Sequence, residues 1–192
     1  SAQLANIAAG IVVGKLGTAT VSPAELRRAI QIQQLSSQRG ILSEVELKTV
    51  VEDAKAHDEQ IVMTGGCFDI LHAGHVAYLE QAKRLGDRLI VAINDDNSVS
   101  SLKGSGRPIN KLANRMAVLA GLSVVDWVVS FSEATPERLI KLLLPDIWVK
   151  GNDYQVNDLS EAKAIQEYGG QIKLVDLVRG CSTSAIISKI QE

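Results

Sequence analysis

From residue 61 onward, short apolar runs alternate with longer amphipathic segments, and this alternation constrains the fold more than any other feature. The apolar runs are brief and rich in β-branched residues, as expected of strands buried on both faces of a sheet. They are Ile61–Met63, Leu89–Ile93, Trp127–Val129, Ile147–Val149 and Ile172–Val175. The segments between and after them have helical periodicity: Val76–Leu85, Leu112–Leu122, Pro136–Leu144, Leu159–Tyr168 and Thr183–Ile190. Such alternation predicts an α/β fold in which helices cover both faces of a parallel sheet.

Composition limits the partners of this chain. Of its 192 residues 46% are hydrophobic but only 4% aromatic, so the core must be aliphatic. The net charge of −2 gives no general attraction to nucleic acid or to an acidic membrane, and neither partner is predicted. The most apolar early stretch, Ile7–Leu16, is too short to span a bilayer. Cys67 and Cys181 are expected to be free thiols, which favours a reducing, cytoplasmic location.

The chain before residue 61 divides into two zones. Residues 1–30 are apolar and rich in small residues, and they end in a helix start where Ser22 and Glu25 can form a capping box around Pro23. Residues 31–60 are rich in Gln, Ser and charge, and indicate a linker that ends in a helix capped by Ser43 and Glu46. This short, partly helical extension precedes the α/β domain, which is predicted over residues 61–192.

The loop after the first predicted sheet strand carries the clearest functional signal. Gly65 and Gly66 permit a close backbone approach, and Gly74 lies where the chain enters a helix. The N-terminus of a helix attracts phosphate. His72 and His75 are three residues apart, so both imidazoles can face the same ligand. Because no His-Glu-x-x-His pattern is present, this predicts a polyphosphate cradle rather than a metal site.

A second motif opens the last predicted helix. It reads Gly180-Cys181-Ser182-Thr183-Ser184, and by itself a Ser-Thr-Ser start is more typical of an ordinary helix cap. Together with His72-Ala73-Gly74-His75, however, it resembles the signatures of the cytidylyltransferase-like nucleotidyltransferase superfamily. The resemblance covers about residues 61–192 and implies a Rossmann-like fold.

Further segments resemble one branch of that superfamily more closely. They are Leu102-Lys103-Gly104, Arg107-Pro108-Ile109-Asn110, Arg115, Val125-Asp126, Thr135-Pro136 and the run from Val149 to Tyr154. They are similar to the adenylyltransferase domain of the bifunctional heptose kinase/adenylyltransferases. That resemblance implies transfer of AMP from ATP to D-glycero-β-D-manno-heptose 1-phosphate, giving ADP-heptose and pyrophosphate for the lipopolysaccharide inner core. A homodimer is also expected.

Residues 1–24 resemble the end of the ribokinase-like kinase half of the same family. The catalytic Gly-rich motif of that kinase is not in this sequence. Residues 1–30 are therefore interpreted as a remnant of the kinase C-terminus, and kinase activity is not expected.

The resemblance also implies roles for individual residues. Those in catalysis are His72, His75 and Lys103; the alternative for Lys103 is a solvated loop lysine. Those binding the nucleotide are Gly66, Cys67, Phe68, Gly74, Lys150, Gly151, Asp153, Tyr154, Ser182 and Thr183. Those binding the acceptor are Asp69, Asp96 and Arg115, although Asp69 could instead hold its loop and Arg115 could be a surface helix residue. Mg²⁺ is expected to arrive on the ATP phosphates, with no protein metal site.

Two other functions remain open from the sequence. A cytidylyltransferase acting on glycerol phosphate is one, but arginines typical of those enzymes are replaced here by Ser123 and Leu177. A non-catalytic nucleotide-binding module is the other; it predicts damaged motifs, whereas both motifs are intact.

Overall fold

The computed structural model describes residues 2–13, 20–37, 39–153, 160–178 and 180–191. The chain forms two compact units, Ser1–Gln38 and Arg39–Glu192. The first contains α1 (Ala2–Val13) and α2 (Pro23–Ser37). The Ser22 backbone N–H donates to Glu25 Oε2 at 2.8 Å, and the Glu25 N–H donates to Ser22 Oγ at 3.2 Å. This reciprocal pair is the predicted capping box at the start of α2.

The second unit is built on one parallel sheet. Its strands are β1 (Gly40–Ile41), β2 (Ile61–Gly66), β3 (Arg88–Asn94), β4 (Trp127–Phe131), β5 (Ile147–Gly151) and β6 (Gln171–Val175). Its helices are α3 (Glu44–Ala56), α4 (Ala73–Lys83), α5 (Asp96–Lys103), α6 (Leu112–Ala120), α7 (Glu137–Leu143), α8 (Glu161–Gln166) and α9 (Thr183–Gln191). The strand order is β1-β4-β3-β2-β5-β6, and every pairing is parallel. The predicted fold class is confirmed.

The central strands are buried on both faces, as their continuous apolar runs predicted. Val62, Val91 and Val149 pack with α4 and α6 in one cluster. Successive strand residues point to opposite faces, so Met63 and Trp148, both fully buried, occupy the other face.

Two elements of this unit were not predicted. β1 has only two residues, too few to show a strand pattern, and it pairs with β4 at Gly40↔Trp127. Helix α5 is mostly polar and therefore shows no apolar periodicity in the sequence. Its start is capped by Asp95, whose side chain accepts from the Ser98 N–H at 2.7 Å.

Helix α3 starts with the predicted capping box: Ser43 Oγ accepts from the Glu46 N–H, and Glu46 accepts from the Ser43 N–H at 2.9 Å. In the structure, the compact unit that contains the sheet begins at Arg39 and so includes α3 as well as β1. The domain boundaries drawn from sequence at residues 30 and 60 stay predictions. No helix among the described residues is long and apolar enough to cross a membrane.

The strand order reverses beside β2. From β2 the chain moves outward through β3 to β4, and then crosses to the opposite side of β2 to form β5 and β6. In open parallel sheets a crevice forms at such a reversal, outside the carboxyl ends of the strands. Both sequence motifs therefore converge on the edge where β2 ends.

Candidate active site

The two histidines of the first motif lie face to face. His72 is the N-cap of α4, and its Nδ1 accepts from the His75 backbone N–H at 3.3 Å. The centroids of the two rings are 3.8 Å apart, with 17° between the ring planes. Both imidazoles consequently face the same side of the helix start, as their spacing predicted.

His75 is held in its neutral form. Burial, followed by the nearby His72 ring, lowers its pKa to about 4, and the Ile70 backbone opposes this shift. Its Nδ1 is buried and makes no hydrogen bond with any described residue.

The double glycine that precedes the histidines packs tightly against two aromatic rings. A Cβ on Gly65 would lie 3.0 Å from Cη2 of Trp148, and a Cβ on Gly66 would lie 3.2 Å from the ring of Phe68. Phe68 itself is buried and has a φ of 44°, a conformation that non-glycine residues rarely adopt. The loop is thus shaped by the two rings, in addition to any need for space near a ligand.

The carboxylate of Asp69 is fully engaged in holding a neighbouring loop. It accepts from Arg107 Nε at 2.5 Å, from the Ile109 N–H at 3.0 Å and from the Asn110 N–H at 2.9 Å. Burial acts to raise its pKa, but the two backbone hydrogen bonds and the Arg107 guanidinium keep that pKa below its usual value. This geometry favours the structural alternative for Asp69; contact with the acceptor stays a prediction.

Arg115 is a buried connector rather than a surface residue, with only 2% of it exposed. Its guanidinium donates to the carbonyls of Cys67 at 2.7 Å, Asn94 at 2.9 Å and Asn110 at 2.9 Å. It also donates to Asp96 Oδ1 at 2.8 Å. Arg115 therefore ties the ends of β2 and β3 to the start of α5, while acceptor binding by Arg115 and Asp96 remains a prediction.

Lys103 lies at the end of a helix. It is the last residue of α5 rather than part of a loop, and it is exposed. The loop begins one residue later, at Gly104, whose φ is 99°. Burial raises the pKa of the Cys67 thiol, and the positive charge of Lys103 counters part of that effect. Lys103 is therefore close to the first motif, on its solvent side.

The second motif packs directly on the first. A Cβ on Gly74 would lie only 2.9 Å from Cβ of Cys181. The hydroxyl of Thr183 donates to the Ile70 carbonyl at 3.3 Å, and Ser182 Oγ accepts from the Ala185 N–H at 3.1 Å. The starts of α4 and α9 are therefore adjacent, so free N–H groups of both helices can face one anion.

The last residues of β5, with Asp153 just beyond them, complete the edge of the sheet. Lys150 Nζ lies 3.2 Å from Glu161 Oε1. A Cβ on Gly151 would come within 2.6 Å of Asp153 Oδ1 and 2.9 Å of Leu177 Cδ1, so a larger residue there would displace the ends of these two side chains. Asp153 is exposed beside it. Tyr154, the other predicted nucleotide contact here, lies outside the described residues.

The donors gathered at this edge suit an anion. They are imidazoles, an ammonium group, hydroxyls and helix N–H groups. The described residues contain no cluster of three His, Cys, Asp or Glu side chains that could hold a metal ion.

Comparison with known proteins agrees with this geometry. The model of the cytidylyltransferase-like family matches residues 63–190, a range that includes both motifs. The chain belongs to the cytidylyltransferase-like family.

Relatives in that family include bifunctional proteins HldE. The chain is 64% identical to the one from Alkalilimnicola ehrlichii over 98% of its own length, and 62% identical to the one from Ectopseudomonas mendocina. It spans only 39% and 40% of those relatives, respectively. The family resemblance drawn from the sequence is confirmed.

Two solved structures are also similar. A lipopolysaccharide core biosynthesis protein from Thermoplasma volcanium is 33% identical, with a TM-score of 0.50, over 62% of this chain and 97% of its own. The pantothenate synthetase of Thermus thermophilus shares the fold, with a TM-score of 0.53 at 17% identity over 77% of this chain and 67% of its own.

Several residues of the site were missed by sequence reasoning. They are Asn94 and Glu161, which were not singled out, and Arg107 and Asn110, which were quoted in a resemblance but given no role; all four are linked to predicted residues through contacts distant in sequence. Asn94 had a usable signal, because it is a polar residue at the carboxyl end of a buried strand. Glu161 shows nothing unusual in the sequence itself.

Proposed function

We propose that this chain is a nucleotidyltransferase that moves AMP from ATP to heptose 1-phosphate and releases pyrophosphate. The observation that carries the proposal is the stacked His72–His75 pair at the start of one helix, packed against the start of a second helix. Two helix N-termini and two imidazoles can bind a triphosphate between them. An intact site of this kind also weighs against a non-catalytic module.

The chemistry needs no nucleophile from the protein. An acceptor phosphate oxygen, already anionic at neutral pH, forms a bond to the α-phosphorus of ATP. The bond from that phosphorus to the oxygen bridging to the β-phosphate breaks, and pyrophosphate leaves with the electron pair. The protein contributes positioning and charge stabilisation.

Individual residues divide this work. Neutral His75 can donate a hydrogen bond to an α-phosphate oxygen as charge develops there, and Lys103 can reach the same region from the solvent side. Ser182 and Thr183 are suited to the β- and γ-phosphates. Mg²⁺ would enter with ATP, as part of the substrate.

The choice of ATP and heptose 1-phosphate is supported by relatives. The chain aligns along almost its whole length with bifunctional proteins HldE, and at 33% identity with a lipopolysaccharide core biosynthesis protein. Cytoplasmic location, a homodimer and a place in lipopolysaccharide inner-core synthesis belong to the same proposal.

The test is pyrophosphate release in a matrix of two nucleotides and two acceptors. We expect release with ATP and D-glycero-β-D-manno-heptose 1-phosphate, and at least tenfold less with CTP or with glycerol phosphate. Preference for CTP with glycerol phosphate would establish the cytidylyltransferase alternative. Nucleotide binding without release from any pair would indicate a binding module.

A further inference from the structure

A buried polar network joins helix α4 to strands β2 and β5. The hydroxyl oxygen of Tyr78 lies 2.5 Å from Thr64 Oγ1. The carbonyl of Val149 accepts from both hydroxyls, at 2.9 Å from Tyr78 and 3.0 Å from Thr64. Thr64 is fully buried and Tyr78 is 7% exposed. Because a buried hydroxyl is costly unless it is hydrogen-bonded, the positions of these three oxygens are closely specified.

The network lies next to the first motif. Thr64 directly precedes the double glycine of that motif and pairs with Val149 across β2 and β5. Tyr78 follows His75 by three residues on α4, and residues three apart are neighbours on one side of a helix. The His75 ring also contacts Phe68, which belongs to the same buried cluster as Tyr78. The hydrogen bonds of Tyr78 are therefore made about one helical turn from the imidazole.

Farther along α4, the buried side chains are apolar. Leu79 and Ala82 are fully buried, and hydrophobic contact has no preferred direction. Such contacts hold a helix against a sheet but resist small sliding or turning only weakly. A fully satisfied buried polar network specifies one arrangement. The Tyr78 hydroxyl therefore supplies a directional contact that these apolar side chains cannot.

We propose that Tyr78 is a positioning residue that fixes α4 on the sheet and thereby holds the His75 imidazole at the site. The placement of the ring is a property of the free protein, and only its effect on turnover rests on the proposed function. Tyr78 acts through His75 and does not itself touch the nucleotide. Its effect on turnover must therefore disappear once the imidazole is removed.

The first experiment measures the pKa of His75 by NMR titration of the imidazole signals. The chain has only three histidines, and the spectrum of His75→Ala identifies the signal. Burial is the main reason that the pKa of His75 is lowered to about 4, so a ring that moves toward solvent should titrate closer to 6.5. We expect this rise in Tyr78→Phe, which keeps the aromatic ring and removes only the hydroxyl. An unchanged His75 pKa in that variant would overturn the proposal.

The second experiment is a double-mutant cycle on pyrophosphate release. We expect Tyr78→Phe to lower kcat about tenfold, less than the roughly hundredfold loss that a misplacement of about 1 Å can cause. KM for ATP should change less than kcat. In the His75→Ala background the same substitution should lower kcat no further. Losses that multiply, or an unchanged kcat in Tyr78→Phe, would contradict the role of Tyr78.

A matched control separates positioning from the general loss of a tyrosine hydroxyl. The hydroxyl of Tyr168 also donates to a backbone carbonyl, that of Pro145 at 2.9 Å, but it does so at the amino end of β5, away from the two motifs. Tyr168→Phe should leave kcat and the His75 pKa unchanged. Equal effects in Tyr168→Phe and Tyr78→Phe would refute a specific role for Tyr78.

A second variant and the activity assay keep the outcomes distinct. If Tyr78→Phe fails to fold, Thr64→Val removes the hydroxyl that contacts Tyr78 from the strand side. It should also raise the His75 pKa, and an unchanged value would overturn the proposal. A wild-type protein that releases no pyrophosphate would refute the proposed function, whereas the NMR titration would still decide whether Tyr78 places His75.

Discussion

The two motifs that form the site are held in very different ways. The first is fixed from behind, because Asp69 and Arg115 bind its backbone and neighbouring loops through hydrogen bonds that are largely buried. The second rests on the first through the Cys181–Gly74 contact and one hydroxyl bond from Thr183, and most of α9 is exposed. The contrast suggests that the first motif is preorganised for chemistry, whereas the second depends on docking and on its ligand.

Removing the ring at the centre of the first motif should give the largest effect. We expect His75→Ala to lower kcat by roughly 10²–10³, the scale of losing one preorganised donor. The pyrophosphate-release assay measures it. His57→Ala is the matched control, because His57 is exposed at the end of α3, where its ring contacts Asp53. Near-normal turnover in His75→Ala would remove the difference drawn between the motifs.

Replacing the buried Arg115 should destabilise the first motif as a whole. Arg115→Met leaves three carbonyls and Asp96 without their donor, and we expect the free energy of unfolding to fall by about 3 kcal/mol. Urea denaturation checks this. Arg138→Met removes an exposed guanidinium instead and should cost less than about 1 kcal/mol. Equal losses of stability in the two variants would show that Arg115 contributes no more to stability than an exposed ion pair.

His75 and Arg115 also show how much of the site could be predicted from the sequence. The strands β2 to β6, both capping boxes and the convergence of the two motifs follow from local patterns, and the histidines could be found from their spacing and position alone. For Arg115, the sequence left open the alternative of a surface helix residue because its partners, Cys67 and Asn94, are 48 and 21 residues away in the chain. Glu161 and β1 were missed for a related reason: their roles depend on strands that only the folded sheet brings near.

Adding a methyl group at Gly74, between the two motifs, tests whether the second motif depends on its docking against the first. Gly74→Ala would place a Cβ 2.9 Å from Cβ of Cys181 and 3.1 Å from the His72 ring. Relief requires α9 to shift, and we expect KM for ATP to rise about tenfold with a smaller change in kcat. Steady-state kinetics test this. Gly10→Ala, at a position with nothing within 4 Å, should change neither parameter.

The last expected effect is on the pH dependence of stability. The pKa of His75 falls from 6.5 to about 4 on folding, so between these values the unfolded chain binds more protons. Stability contributed by neutral His75 is then present above pH 6.5 and is lost as the pH falls toward 4. In thermal melts between pH 6.5 and pH 4, the Tm of the wild type should fall more steeply with falling pH than the Tm of His75→Asn. Parallel curves would show that the imidazole is not held neutral.

The reversal of strand order beside β2 has a consequence for how the molecule responds to its substrate. One wing of the sheet leads from β2 to β4, and the other consists of β5 and β6. A nucleotide bound at the reversal, as we propose, would contact segments from both wings and so hold them together. A free nucleotide concentration of a hundred times Kd would raise the free energy of unfolding by about 2.7 kcal/mol. Hydrogen exchange should then slow in β3 and β6 alike, although neither strand supplies a residue of the two motifs.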